Sequence, residues 1–203
     1  MRLPVKSLTT LIFAGAIYGC VSAKDERAAS DSVSLVKSEA ATSKTPDSLS
    51  RFANTSSWTV NIRGIGPLQA GMSRPQAAAV MGVPPAVIDS AWTDCDYVGF
   101  GDMPEGVSFM VEGGTIARLE VRNGRVATEE GARIGDSEDR IRRLYGSRLT
   151  VTPHKYVDGH YLTVKPTKAA DSAFRIVFET DGRVVTQYRS GRRPPVEYVE
   201  GCS

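Results

Sequence analysis

The chain has 203 residues, 41% of them hydrophobic and 24% charged, with a formal net charge of +2. That length suits one or two folded domains, and the composition is that of an ordinary soluble globular protein. Arg2 and Lys6 lie in the first few residues and account for the whole positive excess. The remainder is therefore balanced, which argues against nucleic acid as a partner, because such binders concentrate basic charge on one surface.

Residues 1–19 read as an export signal. Arg2 and Lys6 precede a mostly apolar run from Leu8 to Tyr18, too short to span a bilayer, where about 20 residues are needed. Ile17-Tyr18-Gly19-Cys20 resembles the lipobox of bacterial lipoproteins, in which the cysteine is diacylated and becomes the new N-terminus. Val21-Ser22-Ala23 offers an ordinary cleavage site that would discard Cys20, and the two alternatives stay open. Both place the mature protein outside the cytoplasm. With Cys20 acylated and Val21 next to it, resemblance to Gram-negative lipoproteins implies sorting to the outer membrane, facing the periplasm, with acyl chains as the anchor. Residues 20–57 are rich in Ser, Ala, Thr, Asp and Lys without an apolar period. Such a segment buries too little surface to offset its ordering entropy and reads as a flexible tether.

A first folded unit is expected over 58–127. Trp58 to Ile62 alternates as a short strand. Ser73 is a helix N-cap with Gln76 three residues on as its capping-box partner, and Gly82 followed by Pro84 and Pro85 ends the helix. Ala86 to Ala91 reads as one further helical turn. Strands are expected at Cys95 to Phe100, Val107 to Glu112 and Thr115 to Arg122, the last two joined at Gly113-Gly114. In these strands Phe109, Leu119 and Val121 point to one side, while Met110, Arg118 and Glu120 point to the other.

A second unit over 128–203 repeats the first, with Gly135, Ser137, Leu144 and Gly146 falling where Gly71, Ser73, Val80 and Gly82 stood. Ser137 caps a helix with the buried stripe Ile141, Leu144 and Tyr145. Strands follow at Gly159 to Lys165, Ala173 to Glu179 and Arg183 to Ser190, with a turn at Asp181-Gly182 and a closing strand at Val196 to Val199. The expected fold class is α+β: two tandem helix-plus-antiparallel-meander units forming two layers, helices on one face and the other face of the sheet open.

The string Leu68…Gly71-Met72-Ser73…Gln76-Ala77…Val80-Met81-Gly82-Val83-Pro84 resembles the helix-opening motif of the SmpA/OmlA (BamE-like) outer-membrane lipoproteins. Two such units in tandem look like the fold of the β-lactamase-inhibitor (BLIP-like) proteins. The resemblance implies an open sheet face that binds other proteins.

The residues that could carry chemistry point the same way. Cys95 and Cys202 survive either cleavage, and an oxidising compartment favours pairing them. A nucleophilic Cys95 is disfavoured, since Asp94 and Asp96 flank it and negative neighbours suppress the thiolate. His154 and His160 stand six apart with no third ligand nearby, which suits no zinc motif. No Gly-x-Ser-x-Gly elbow, phosphate loop or calcium loop is present in the 203 residues. Neither a catalytic set nor a cofactor or metal site is therefore expected. The arginines Arg175, Arg183, Arg189, Arg192 and Arg193 form either a solvated face, a recognition surface or a contact for anionic lipid head groups. On the recognition reading Tyr161, Arg175, Met110 and Arg118 line the open sheet. The function this implies is a non-enzymatic binding module for another envelope protein. An inhibitor of a periplasmic hydrolase and an outer-membrane assembly or scaffold factor are the variants of that reading.

Overall fold

The computed structural model describes residues 57–202, apart from 93, 102 and 123. Cys20, the export signal and nearly all of the tether lie outside the described residues.

Among the described residues the chain is mostly β. A small antiparallel sheet joins β1 (Val60–Asn61), β2 (Gly64–Ile65) and β3 (Leu68–Gln69). The two-turn helix α1 (Arg74–Met81) follows, opened by the expected capping box. Ser73 Oγ accepts from the Gln76 amide at 3.3 Å, and the Ser73 amide donates to Gln76 Oε1 at 2.9 Å. Four strands come next: β4 (Ala86–Trp92), β5 (Cys95–Gly99), β6 (Val107–Glu112) and β7 (Thr115–Val121). Helix α2 (Glu138–Tyr145) is capped by Ser137, and β8 (Leu149–Pro153), β9 (His160–Val164), β10 (Phe174–Thr180) and β11 (Val185–Arg192) complete the set. The eight longer strands form one antiparallel sheet in the order β4-β5-β6-β7-β11-β10-β9-β8.

This corrects the expected α+β class of two tandem helix-plus-meander units. Eleven strands in two antiparallel sheets outweigh two helices of eight residues each. The strands of the two stretches also hydrogen-bond directly through β7 and β11, with Leu119 opposite Ser190 and Val121 opposite Tyr188. Two local reasons stand behind the difference. Ala86 to Ala91, read as a helical turn, follows Pro84-Pro85 and includes Val87 and Ile88, which favour extended backbone; the stretch lies instead in β4 and pairs with β5. Val196 to Val199, read as a closing strand, instead begins in a short 3-10 turn over Pro195–Glu197 that leaves the sheet plane.

One face of the large sheet carries the core. Phe109, Leu119, Val121, Leu162, Ile176, Phe178 and Tyr188 meet Ala77 and Met81 of α1, Ile141 and Tyr145 of α2, and Val60, Ile65 and Leu68 of the small sheet. Phe178 lies 5.6 Å from Tyr145 and 5.3 Å from Tyr188, ring centre to ring centre. The period-two alternation sends the neighbours of these residues to the opposite face, and there the site is found.

Candidate functional site

The second face holds charge that is buried rather than open. Arg118 and Glu120 on β7, Glu179 on β10 and Arg189 on β11 are 2%, 5%, 5% and 5% exposed. Strand register brings them together, because Glu120 stands opposite Arg189, and Glu179 opposite Gln187. What covers them is the C-terminal segment after β11, whose turn Pro195–Glu197 packs on β10, β11 and β7.

Two arginines bind that segment through its backbone. Arg118 Nη1 donates to the carbonyls of Pro195 and Tyr198, each at 2.7 Å, and its Nε and Nη2 donate to Glu120 Oε1. Arg189 Nε donates to the Val196 carbonyl at 2.6 Å, and its Nη1 donates to Glu179 Oε1. Each guanidinium thus joins a carboxylate beneath it to a carbonyl above it. Burial pushes the Glu120 carboxyl up, but the guanidiniums of Arg118 and Arg122 outweigh this and hold it below the usual carboxylate range. For Glu179, burial is likewise outweighed, chiefly by Arg189, with hydrogen bonds from Gln187 and His154 adding to the effect. A polar cavity of about 60 Å³ remains between the pairs, lined by Tyr97, Arg122, Gln187 and Gly201 besides the four charged side chains.

The far end of the segment is held at both flanks of the sheet. Lys155 Nζ donates to Glu200 Oε1 at 2.6 Å, and the Tyr156 hydroxyl bonds the same oxygen. On the other flank Cys202 forms a disulfide with Cys95 of β5, 107 residues away in sequence.

The four residues expected to line an open sheet have different surroundings. Arg118 is buried beneath the tail, and Met110 on the neighbouring strand is 1% exposed. Tyr161 stacks on His154 with ring centres 4.4 Å apart, and its hydroxyl is buried without a hydrogen-bond partner. Arg175 turns back to donate to the carbonyls of Ser172 and Phe174, at 2.9 and 2.6 Å. The two histidines belong to separate contacts. His154 Nε2 lies 3.3 Å from Glu179 Oε2, and His160 Nδ1 lies 2.7 Å from Glu138 Oε1. The Tyr156 amide donates to His154 Nδ1 at 3.1 Å, which assigns the ring proton to Nε2.

Sequence reasoning missed an accessible surface at the start of the large sheet. Val87 and Ile88 on β4 are 57% and 61% exposed. Beside them opens a hollow lined by Ile88, Asp89, Tyr97, Val107, Ser108 and Arg122. The signal was present as a Val-Ile pair directly after two prolines and an alanine. No protein-family model, curated protein or solved structure matches this chain, so the resemblance at residues 68–84 stands on those residues alone.

Proposed function

We propose that this chain is an exported, non-enzymatic protein-binding module of the bacterial envelope. On this reading it is anchored through an acylated Cys20 and contacts another envelope protein with the sheet edge around Ile88 and Arg122. The observation that carries the reading is the exposure of Val87 and Ile88 on β4, 57% and 61%, beside the hollow that contains Tyr97 and Arg122. Large apolar side chains rimmed by polar ones mark interaction sites, and Tyr and Arg are enriched in them. Register shifts between Val87 and Asp89 and between Ser90 and Trp92 interrupt the β4 ladder. Such bulges discourage strand addition, so the contact runs through side chains rather than through backbone pairing.

The buried charges give this reading further support. Arg118, Glu120, Glu179 and Arg189 are engaged with one another and with the tail, an arrangement that holds structure together. The test is capture from detergent extracts of envelope membranes with the acylated protein as bait. Ile88→Asp and Arg122→Glu should each lose the captured protein while far-UV circular dichroism stays unchanged. Retained capture by both variants, with loss through Tyr161→Ala and Arg175→Glu instead, would move the contact to the other half of the sheet. Mass spectrometry of the mature N-terminus checks the anchor, since a chain beginning at Lys24 would rule it out.

A further inference from the structure

The tail after β11 is held in two unlike ways along its length. Its first part is seated in the fold. Pro195 and Val196 are buried, Val196 completely, and their carbonyls accept from Arg118 and Arg189. Its second part is more exposed until its end, with Tyr198 38% and the Glu200 side chain 53% exposed, and Cys202 only 6%. That second part is held by the Arg118 bond to the Tyr198 carbonyl, the Tyr198 amide bond to the Pro195 carbonyl, the contacts of Glu200 with Lys155 (an ion pair) and the Tyr156 hydroxyl, and the disulfide. The ion pair is solvent-exposed on both sides, 56% and 53%, and such pairs hold weakly. The backbone at Gly201 presses on the Tyr97 hydroxyl so closely that a Cβ there would overlap it. The disulfide adds a covalent hold to these non-covalent ones. Cys95 and Cys202 both border an open groove with Asp94, Met110, Glu112 and Tyr198; Cys202 is 6% exposed and Cys95 is half-buried, so the approach to the bond is from the Cys95 side.

We propose that residues 198–202 are a thiol-operated strap, which a dithiol reductant releases by cleaving Cys95–Cys202 while Pro195 and Val196 stay in place. One reductant thiolate attacks Cys95 Sγ, forming a mixed disulfide and expelling Cys202 as a thiolate that takes up a proton. The reductant's second thiolate then attacks its own mixed-disulfide sulfur and frees Cys95, which is protonated in turn. Two electrons and two protons pass from the reductant to the two cysteines, and the dithiol leaves as a disulfide. Release takes the Tyr198 carbonyl away from Arg118 and lifts Gly201 off Tyr97. The hollow beside Ile88, which Tyr97 already lines, then becomes continuous with Arg118 and Glu120, turning a covered ion pair into accessible surface. The strap is independent of which protein, if any, binds at Ile88.

The experiment uses the full chain at neutral pH, with dithiothreitol as the dithiol, thiol alkylation to score reduction, and amide exchange read by mass spectrometry. With both cysteines alkylated, exchange across 198–202 should accelerate by about ten-fold or more, while 107–121, 185–192 and the Glu197 amide, bonded to the Pro194 carbonyl, keep their protection. Cys202→Ser without reductant should give the same local pattern. Unchanged exchange at 198–202 after full alkylation would overturn the proposal, as would loss of protection across the sheet. Failure of dithiothreitol to reduce the bond in the folded protein would overturn it equally.

Discussion

Arg118 shows how a cation can be buried in this sheet without being left uncompensated. Its guanidinium meets Glu120 on one side and two tail carbonyls on the other, with the Tyr97 hydroxyl 3.2 Å from Nη2. Removing one member of such a pair strands the other in low dielectric, at a cost of about 3–5 kcal/mol. Arg118→Met should therefore lower the unfolding free energy from urea titration by an amount in that range. Arg122 bonds the same carboxylate but its side chain is 61% exposed, and Arg122→Ala should cost no more than about 1 kcal/mol. Equal losses in the two variants would mean that the buried position confers no added weight. The depressed carboxyls of Glu120 and Glu179 also set a pH dependence. A carboxyl lowered in the folded state binds fewer protons than in the unfolded chain. Its stabilisation is complete above the unfolded value, about 4.3, and is lost as pH falls through the folded one. Urea midpoints should hold steady from pH 7 to about 5 and fall steeply below about 4.3. In Glu120→Gln and Glu179→Gln the neutral-pH midpoint should be lower and the acid slope shallower.

At the scale of elements, local chemistry was readable and long-range cover was not. The capping box at Ser73, the cap at Ser137 and the Gly113-Gly114 turn are encoded within a few residues, and each helix or hairpin forms where those residues stand. The facing of β7 was also legible, since Leu119 and Val121 alternate with Arg118 and Glu120. Alternation gives the side of the sheet to which a residue points, but not what lies on that side. Whether Arg118 meets solvent or a tail 77 residues later is a tertiary matter with no periodic signature. Strand β8 escaped for a related reason: Leu149-Thr-Val-Thr-Pro is a short edge strand ending in proline, a pattern a loop shares. The arginine run at 175–193 mixed positions of opposite kinds, a buried Arg189 and an exposed Arg192. Gly191 tests the junction of β11 with β7. It stands opposite Arg118, and a Cβ there would meet the Ala117 carbonyl oxygen and Arg118 Cα at 2.6 Å. Backbone cannot yield as a side-chain tip does, so Gly191→Ala should cost about 1–3 kcal/mol or more. A thermal midpoint equal to wild type would show that the two strands are not packed as closely as this.

The whole molecule is closed twice across its middle, once by hydrogen bonds and once by a covalent link. The β7–β11 pairing makes one sheet of the two stretches, and the tail then runs from β11 over β7 to a disulfide on β5. The two closures act on different states. Pairing and core packing stabilise the native sheet, whereas a bond between residues 107 apart mainly restricts the unfolded chain, worth about 4–5 kcal/mol in the chain-entropy treatment. Replacing both cysteines with serine should therefore lower the urea midpoint but leave a single transition. Far-UV circular dichroism reports the strands, and tryptophan fluorescence, from Trp58 against the core and Trp92 of β4, reports the first stretch. Their unfolding curves should coincide with the disulfide and without it. If the two stretches held together only through Cys95–Cys202, the serine variant would unfold in two steps, fluorescence and dichroism separating. The continuous ladder through Leu119 and Ser190 predicts that they do not part.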